Sequence, residues 1–324
     1  MLRPLLLRAT ASVAVIWGAV TLVFLLLHVA PGDPAVLMVG PAASADQVAA
    51  QRQALGLDRP LAEQYGAWLG RFVRGDWGTS IVTGRPVRTM LLEAWPATAR
   101  LVVLSIILSY VLGIGLGVLQ ASRSGSALDT ALSAASVTLF ALPGYWLGLM
   151  LIMVFTYRLR LLPAFGAGGL DAEFLPAGAR VADGLRHLVL PLATLTLIGV
   201  GGVARFVRGA MIDLEGSAFL LTARAKGLGP LSVLLRHTLR NALIPVLTLL
   251  GLSLPAVFSG TVFVEAIYAW PGVGRVLVEA VQARDHPVVL AAAAVSAGLV
   301  VAGNLLAEAL VAWADPRTRS SHGG

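Results

Sequence analysis

Residue types that carry covalent or metal chemistry are sparse and badly spaced in this chain. It has no cysteine, which removes disulfides, thiolate metal sites and cysteine nucleophiles. Its histidines, His28, His187, His237, His286 and His322, fall at no metal-ligand spacing, and the patterns G-x-S-x-G and H-E-x-x-H are absent. A phosphate-gripping loop needs Gly-Lys-Ser/Thr, whereas the only lysine, Lys226, lies between Ala225 and Gly227. The run Gly113-x-Gly115-x-Gly117 sits inside an apolar stretch with no strand before it, so close helix packing accounts for it better than a dinucleotide site. What remains is a concentration of charge. Residues 205–240 hold six cations, Arg205, Arg208, Arg224, Lys226, Arg236 and Arg240, and two carboxylates, in one interruption between long apolar stretches. Such cations serve charge-assisted contacts to an acidic or polar partner, or anchor the chain on lipid headgroups.

The local pattern of this loop is helical and broken. Ser217 suits an N-cap, and Ala218 to Lys226 is rich in Ala, Leu and Arg. Gly227, Gly229 and Pro230 then stop that helix and redirect the chain. Past Pro230, Leu231, Leu234, Leu235, Thr238 and Leu239 fall on one helical face, with Val233, Arg236, His237 and Arg240 opposite, which predicts an amphipathic helix. Two short helices at an angle make a protruding knob.

The elements that must hold this knob lie in a membrane. A composition of 57% hydrophobic and 13% charged residues, with mean hydropathy +0.82, falls outside the range of soluble domains. The net charge of +7 is scattered among loops, so it serves membrane orientation and not nucleic acid. Stretches free of Asp, Glu, Lys and Arg run over 9–32, 101–122, 130–157, 187–204, 241–264 and 286–307. About 20 residues cross a hydrocarbon core of about 30 Å, so these are six helical spans; their continuous apolarity excludes a β-barrel. The first run reads as a span and not a cleaved leader, because Pro31-Gly32-Asp33-Pro34 stands where a small-residue cleavage site would be.

Arg3 and Arg8, the basic loop, and Arg317 and Arg319 all fall on one side, which the positive-inside rule makes cytoplasmic. The expected organisation is a cytoplasmic N-terminus at 1–8 and spans at 9–30, 98–120, 131–156, 187–208, 241–263 and 287–313. Segments 31–97, 157–186 and 264–286 are external, and 121–130, 209–240 and 314–324 cytoplasmic. Segment 31–97, with Leu55-Gly56-Leu57, Tyr65, Trp68, Leu69, Phe72 and Trp77, reads as a cap of small helices on the membrane face.

Inside the spans no ionisable group stands at mid-depth, and Asn304 is the main interior amide. A gradient-driven carrier therefore has little to work with. Gly144 and Gly148 offer a small-residue packing face. Gly199, Gly201 and Gly202 let the fourth span bend or pack tightly. Pro245, Gly251 and Pro255 are candidate bends in the fifth, the prolines freeing carbonyls toward a cavity.

The spacing Thr222-Ala223, three residues, Gly227-Leu228, five residues, Leu234, four residues, Leu239-Arg240 resembles the EAA-loop signature of ABC importer permeases. T-A-R-A-K-G-L at 222–228 and R-H-x-L-R-N-A-L-I-P at 236–245 are similar to the oligopeptide, dipeptide and nickel branch. H-V-A-P-G-D-P at 28–34, L-G-L-D-R-P-L-A-E-Q-Y at 55–65, G-D-W-G-T-S at 75–80 and L-P-G-Y-W-L-G at 142–148 resemble the first of that branch's two permease subunits. So do E-A-I-Y-A-W-P-G-V-G-R at 265–275, R-D-H-P-V-V at 284–289 and D-P-R at 315–317. Leu221 stands where the signature often has Glu, Ala218-Phe219 where the branch often has Asp-Tyr, Val311 where it often has Tyr and Glu308 where it often has Asp.

The resemblance implies an all-α, six-helix type I importer permease with an external cap between helices 1 and 2 and a permease core at about 94–313. It implies that Thr222, Ala223, Arg224, Ala225, Lys226, Gly227, Leu228 and Gly229, with Arg236 and His237, contact a cytosolic ATPase. Glu265, Trp270, Pro271, Gly272 and Gly274 would border an external mouth where a substrate-binding protein docks. Partners would be a second homologous permease, two ABC ATPase subunits and that binding protein. The chain itself would bind no cofactor or metal and catalyse nothing, ATP and Mg being used by the ATPases, and the cargo would be a peptide or similar small solute. The setting would be a bacterial or archaeal cytoplasmic membrane. The competing reading is a self-contained ion-coupled carrier or channel.

Overall fold

The computed structural model describes residues 2–29, 33–40 and 42–314 of the chain. Arg317, Arg319, His322 and the Asp315-Pro316-Arg317 motif lie outside the described residues, as do the side chains of Arg3, Arg8, Pro255, Glu308 and Val311 and the surroundings of Gly251. Among the described residues the secondary structure is helical apart from an isolated bridge between Thr79 and Pro86. The chain forms two compact units, Met1–Thr98 with Pro271–Val301, and Ala99–Trp270 with Ala302–Gly324.

The first unit contains α1 (Leu2–Val29), α2 (Pro34–Val39), α3 (Ala45–Leu55), α4 (Leu61–Val73), the start of α5 (Val87–Ser122), α12 (Val273–Gln282) and the start of α13 (His286–Ala314). The short helices are fixed by their caps. The Asp33 carboxylate accepts the Ala35 N–H at 2.9 Å, and Ser44 with Gln47 forms a reciprocal capping box. Gly56 closes α3 in the left-handed region at φ 69°. The apolar face of α4 is aromatic. Tyr65 and Phe24 meet edge-on at 5.0 Å, and Phe72 stacks on Trp68 and Trp77 at 5.3 and 5.4 Å. Val87, Leu91, Val273, Val288 and Ala292 form the buried core of this unit.

The second unit contains the rest of α5, then α6 (Ala127–Ala141), α7 (Gly144–Leu151), α8 (Ala177–Asp213), α9 (Ala218–Ala225), α10 (Pro230–Ser232) and α11 (Arg240–Ile267). α7 continues as a π-helical stretch over Ile152–Arg158, and α10 as another over Val233–Leu239. Helices α6 and α7 are bent by 105° at their junction. Pro143 causes the break: it lacks an N–H and drives Leu142 into the extended region, at φ −70° and ψ 134°. Small residues bring the long helices together. A Cβ on Gly113 of α5 would lie 2.6 Å from the Val203 Cβ of α8, and one on Gly117 would lie 2.7 Å from the Ala204 carbonyl.

Among the described residues, Thr10–Val29, Val87–Ser122, Ala177–Asp213 and His286–Leu305 are long and apolar enough to cross a membrane, and the bent α6–α7 pair makes a fifth candidate. The expected span at 241–263 falls on α11, whose 28 residues rise about 42 Å, more than a bilayer core needs. Part of its side chains lie outside the described residues.

Candidate functional site

The loop between α8 and α11 folds into a knob with a buried base. Ser217 occupies the cap position of α9, but its hydroxyl makes no capping bond. At the other end the Gly227 N–H donates to the Arg224 carbonyl at 2.9 Å and the Leu228 N–H to the Ala223 carbonyl at 3.3 Å. With Gly227 at φ 77°, this is a Schellman stop, which is why glycine stands there. Pro230 opens the next helical segment at its first position, where a missing N–H costs nothing. Leu220, Ala223 and Val233 are buried as a small cluster with Leu214 packed against it.

Outward from that base the knob presents mixed chemistry. Phe219, Leu221, Leu228, Leu231 and Leu235 are exposed, together with Thr222, Arg224, Ala225, Lys226, Gly227, Gly229, Arg236 and Arg240. His237 is half-buried. Thr238 is buried, as the expected apolar face requires, but that face is corrected at three positions: Val233 points inward, while Leu231 and Leu235 point out. The cause is the π-helical winding of Val233–Leu239, which brings residues five apart into register; the Thr238 hydroxyl donates to the Val233 carbonyl at 3.2 Å.

Two of the six cations are used internally. Arg208 donates from Nε and Nη2 to the two Asp129 carboxylate oxygens at 2.7 and 2.8 Å. The same carboxylate accepts the Gly125 N–H at 3.0 Å and the Ser133 hydroxyl at 3.2 Å, so the buried charge is fully bonded. Arg205 places its guanidinium 4.7 Å from the Phe140 ring centroid. By sequence both arginines group with the loop's six cations, whereas Arg208 is spent on Asp129. A helix-start signal was present, since Ser126 and Asp129 have capping spacing and the Ser126 hydroxyl accepts the Asp129 N–H at 3.2 Å.

Beside these residues α5, α6, α7, α8 and α11 line a half-open cavity of about 1150 Å³. Its wall is mainly apolar, with Ser109, Tyr110 and Ser253 as neutral polar points; the Tyr110 and Ser253 hydroxyls lie 2.8 Å apart. Arg205, Asp213 and Asn241 line it near the chain ends that lead into the knob. Of the bend candidates, Gly199, Gly202 and Pro245 line this cavity. Gly201 faces the Ser136 carbonyl and the Phe140 N–H of α6 instead, as a packing glycine. The buried interior amide is Gln120, whose Nε2 donates to the Ser136 hydroxyl at 3.1 Å, whereas Asn304 is exposed.

Of the residues assigned to an external mouth, Glu265 and Trp270 are buried in the second unit and Gly272 and Gly274 in the first, leaving Pro271 exposed. The turn after α11 is built around Tyr268, whose hydroxyl donates to the Gly148 carbonyl at 3.0 Å and lies 2.9 Å from the Thr194 hydroxyl. Burial pushes this phenol up to about 12, so it stays a neutral donor. Among the described residues no group of His, Asp or Glu is arranged to hold a metal ion.

Long apolar helices, a large cavity and an exposed basic knob define a membrane transport permease. Residues 113–320 match the family described as binding-protein-dependent transport system inner membrane component, and residues 1–102 match its N-terminal companion family. The chain belongs to this family. It is 40% identical over 311 residues to the oligopeptide transport system permease protein AppB of Bacillus subtilis, covering 96% of this chain and 97% of that one. It is 38% identical over 326 residues to the probable D,D-dipeptide transport system permease protein DdpB of Escherichia coli, covering 96% and 95%. In fold it is similar to a chain of the inward-facing MetNI methionine ABC transporter, with TM-score 0.50 and 18% identity over 69% of this chain and 98% of that one.

Proposed function

We propose that this chain is one of two permease halves of an ATP-driven importer of peptides or similar small solutes, and that its knob receives the power stroke. The observation that carries the reading is the buried base of Leu220, Ala223 and Val233 beneath exposed Phe219, Leu221, Leu228, Arg224 and Lys226. Apolar anchors ringed by cations suit a groove on an acidic or polar partner. That partner is a cytosolic ATPase subunit, which supplies the ATP and Mg chemistry; this chain binds neither. The cavity, at about 1150 Å³ larger than most small-molecule pockets, forms half of a solute pathway completed by a second homologous permease. An external binding protein delivers the solute, and closure of two ATPases on ATP swings the pathway from inward to outward facing. The N-terminus, the knob and the C-terminal tail lie on the cytoplasmic side of a bacterial or archaeal inner membrane. The peptide permeases AppB and DdpB support the cargo class.

The test is Gly227→Val in the complete reconstituted transporter. At φ 77° a β-branched residue is strained by roughly 1–2 kcal/mol, which deforms the Schellman stop while leaving the buried base intact. Stimulation of ATP hydrolysis by the loaded binding protein should fall at least tenfold with the complex still assembled. Wild-type stimulation and transport would remove the coupling role.

A further inference from the structure

A second cavity, of about 730 Å³, lies within the first unit, where the last turns of α1 and the first turn of α13 meet α4 and the loop after it. Two membrane-length helices thus end at its wall, which sets it at headgroup depth. Trp68 and Trp77 line it, the amphipathic residue type of membrane interfaces. So do Arg59, Arg71, His28 and His286, against one lining carboxylate, Asp76, which already accepts the Gly78 N–H at 3.0 Å. Arg59 and Arg71 have no carboxylate partner among the described residues. Both His28 nitrogens face oxygens, Phe24 O at 2.8 Å and Gln64 Oε1 at 3.2 Å. Leading away from the cavity, α1 is apolar and exposed at Leu22, Leu25 and Leu26, a surface on which acyl chains can lie.

We propose that this cavity binds the headgroup of an anionic phospholipid. Arg59 and Arg71 hold the phosphate, and the acyl chains follow α1. Basic pockets at the ends of spans recognise anionic headgroups in this way. That the leaflet is the external one rests on the orientation proposed above. Lipid retention does not depend on sidedness, so one reading can fail without the other.

The experiment uses the whole transporter in nanodiscs of phosphatidylcholine doped with phosphatidylglycerol, with retained lipid counted by native mass spectrometry. Wild type is expected to retain phosphatidylglycerol preferentially. Arg59→Gln with Arg71→Gln should cut that preference about thirtyfold, each arginine near a headgroup being worth about fivefold. Arg71→Gln alone should cut the preference about fivefold and carries the test if the double variant does not assemble. Arg88→Gln, at an exposed arginine of the same unit outside the cavity, should leave the preference unchanged. Equal retention by wild type and both cavity variants overturns the proposal. So does an equal loss in Arg88→Gln, or displacement by a dipeptide in place of any lipid, which would assign the cavity to a peptide carboxylate.

Discussion

The Arg208 guanidinium and the Asp129 carboxylate, 79 positions apart, meet as a bidentate pair with contacts of 2.7 and 2.8 Å. This pair ties the first turn of α6 to the last turns of α8, directly before the knob. It also divides the loop's cations by task. Arg208 joins the helices under the knob and Arg205, itself exposed, lies over the Phe140 ring, whereas Arg224, Lys226, Arg236 and Arg240 are exposed on the knob.

Arg208→Ala strands the buried Asp129 carboxylate and should destabilise the permease by about 3–5 kcal/mol, whereas Asp129→Ala leaves a part-exposed Arg208 that water can reach and should cost less. The double variant should cost less than the sum of the two, with a coupling of roughly 0.5–3 kcal/mol. Thermal unfolding in detergent, read by tryptophan fluorescence, measures all three. Additive effects would mean the pair is not energetically linked.

Reversing the exposed cations should do the opposite. Arg224→Glu with Lys226→Glu should alter stability by no more than about 0.5 kcal/mol, since both side chains are exposed. Binding to the ATPase subunits should weaken markedly at low salt, and the difference from wild type should shrink as salt screens it. A salt-independent defect would place the effect in the fold and not in the contact.

Hydropathy and punctuation carried much of this in the sequence. Long apolar runs mark the spans, and Gly227, Gly229 and Pro230 mark the redirection of the knob because each has a backbone reason to be there. Asp129 could be read as a helix-start residue, but its partner lies 79 positions away on α8, beyond any local pattern. A period of 3.6 puts Val233 opposite Thr238, but this stretch winds as a π-helix and turns both inward. The 105° bend at Pro143 is hidden in a continuous apolar run, where hydropathy sees length and not direction. Gln120 escaped notice because its partner, Ser136, sits on the next helix.

Glycines in the spans should separate by what faces them. A Cβ on Gly201 meets the Ser136 carbonyl and the Phe140 N–H, groups of α6 that cannot swing away, so Gly201→Ala should cost about 1–3 kcal/mol. Gly115 has nothing within 4 Å, and Gly115→Ala should be neutral or stabilise by up to about 1 kcal/mol. The same unfolding assay decides it, and equal effects at the two positions would refute close packing of α6 on α8 as the reason for Gly201.

In the first unit, Asp285 is the pin of the loop that leads into α5. Its buried carboxylate accepts the Ser80 hydroxyl at 2.5 Å and the Ile81 N–H at 3.1 Å, more than 200 positions away in sequence. The Ser80 hydroxyl in turn accepts the Thr83 N–H at 3.0 Å, so one carboxylate organises the whole turn. Asp285→Ala leaves these donors without their acceptor, at about 1–3 kcal/mol each, and the cost falls on a surface segment able to open locally. Residues 79–86 should therefore be cleaved by added protease at least tenfold faster than in wild type, while Asp285→Asn, which keeps one carbonyl oxygen in place, should fall between. Because opening is local, global unfolding should move far less than the cleavage rate; a matched drop in both would show that Asp285 supports the core and not the loop.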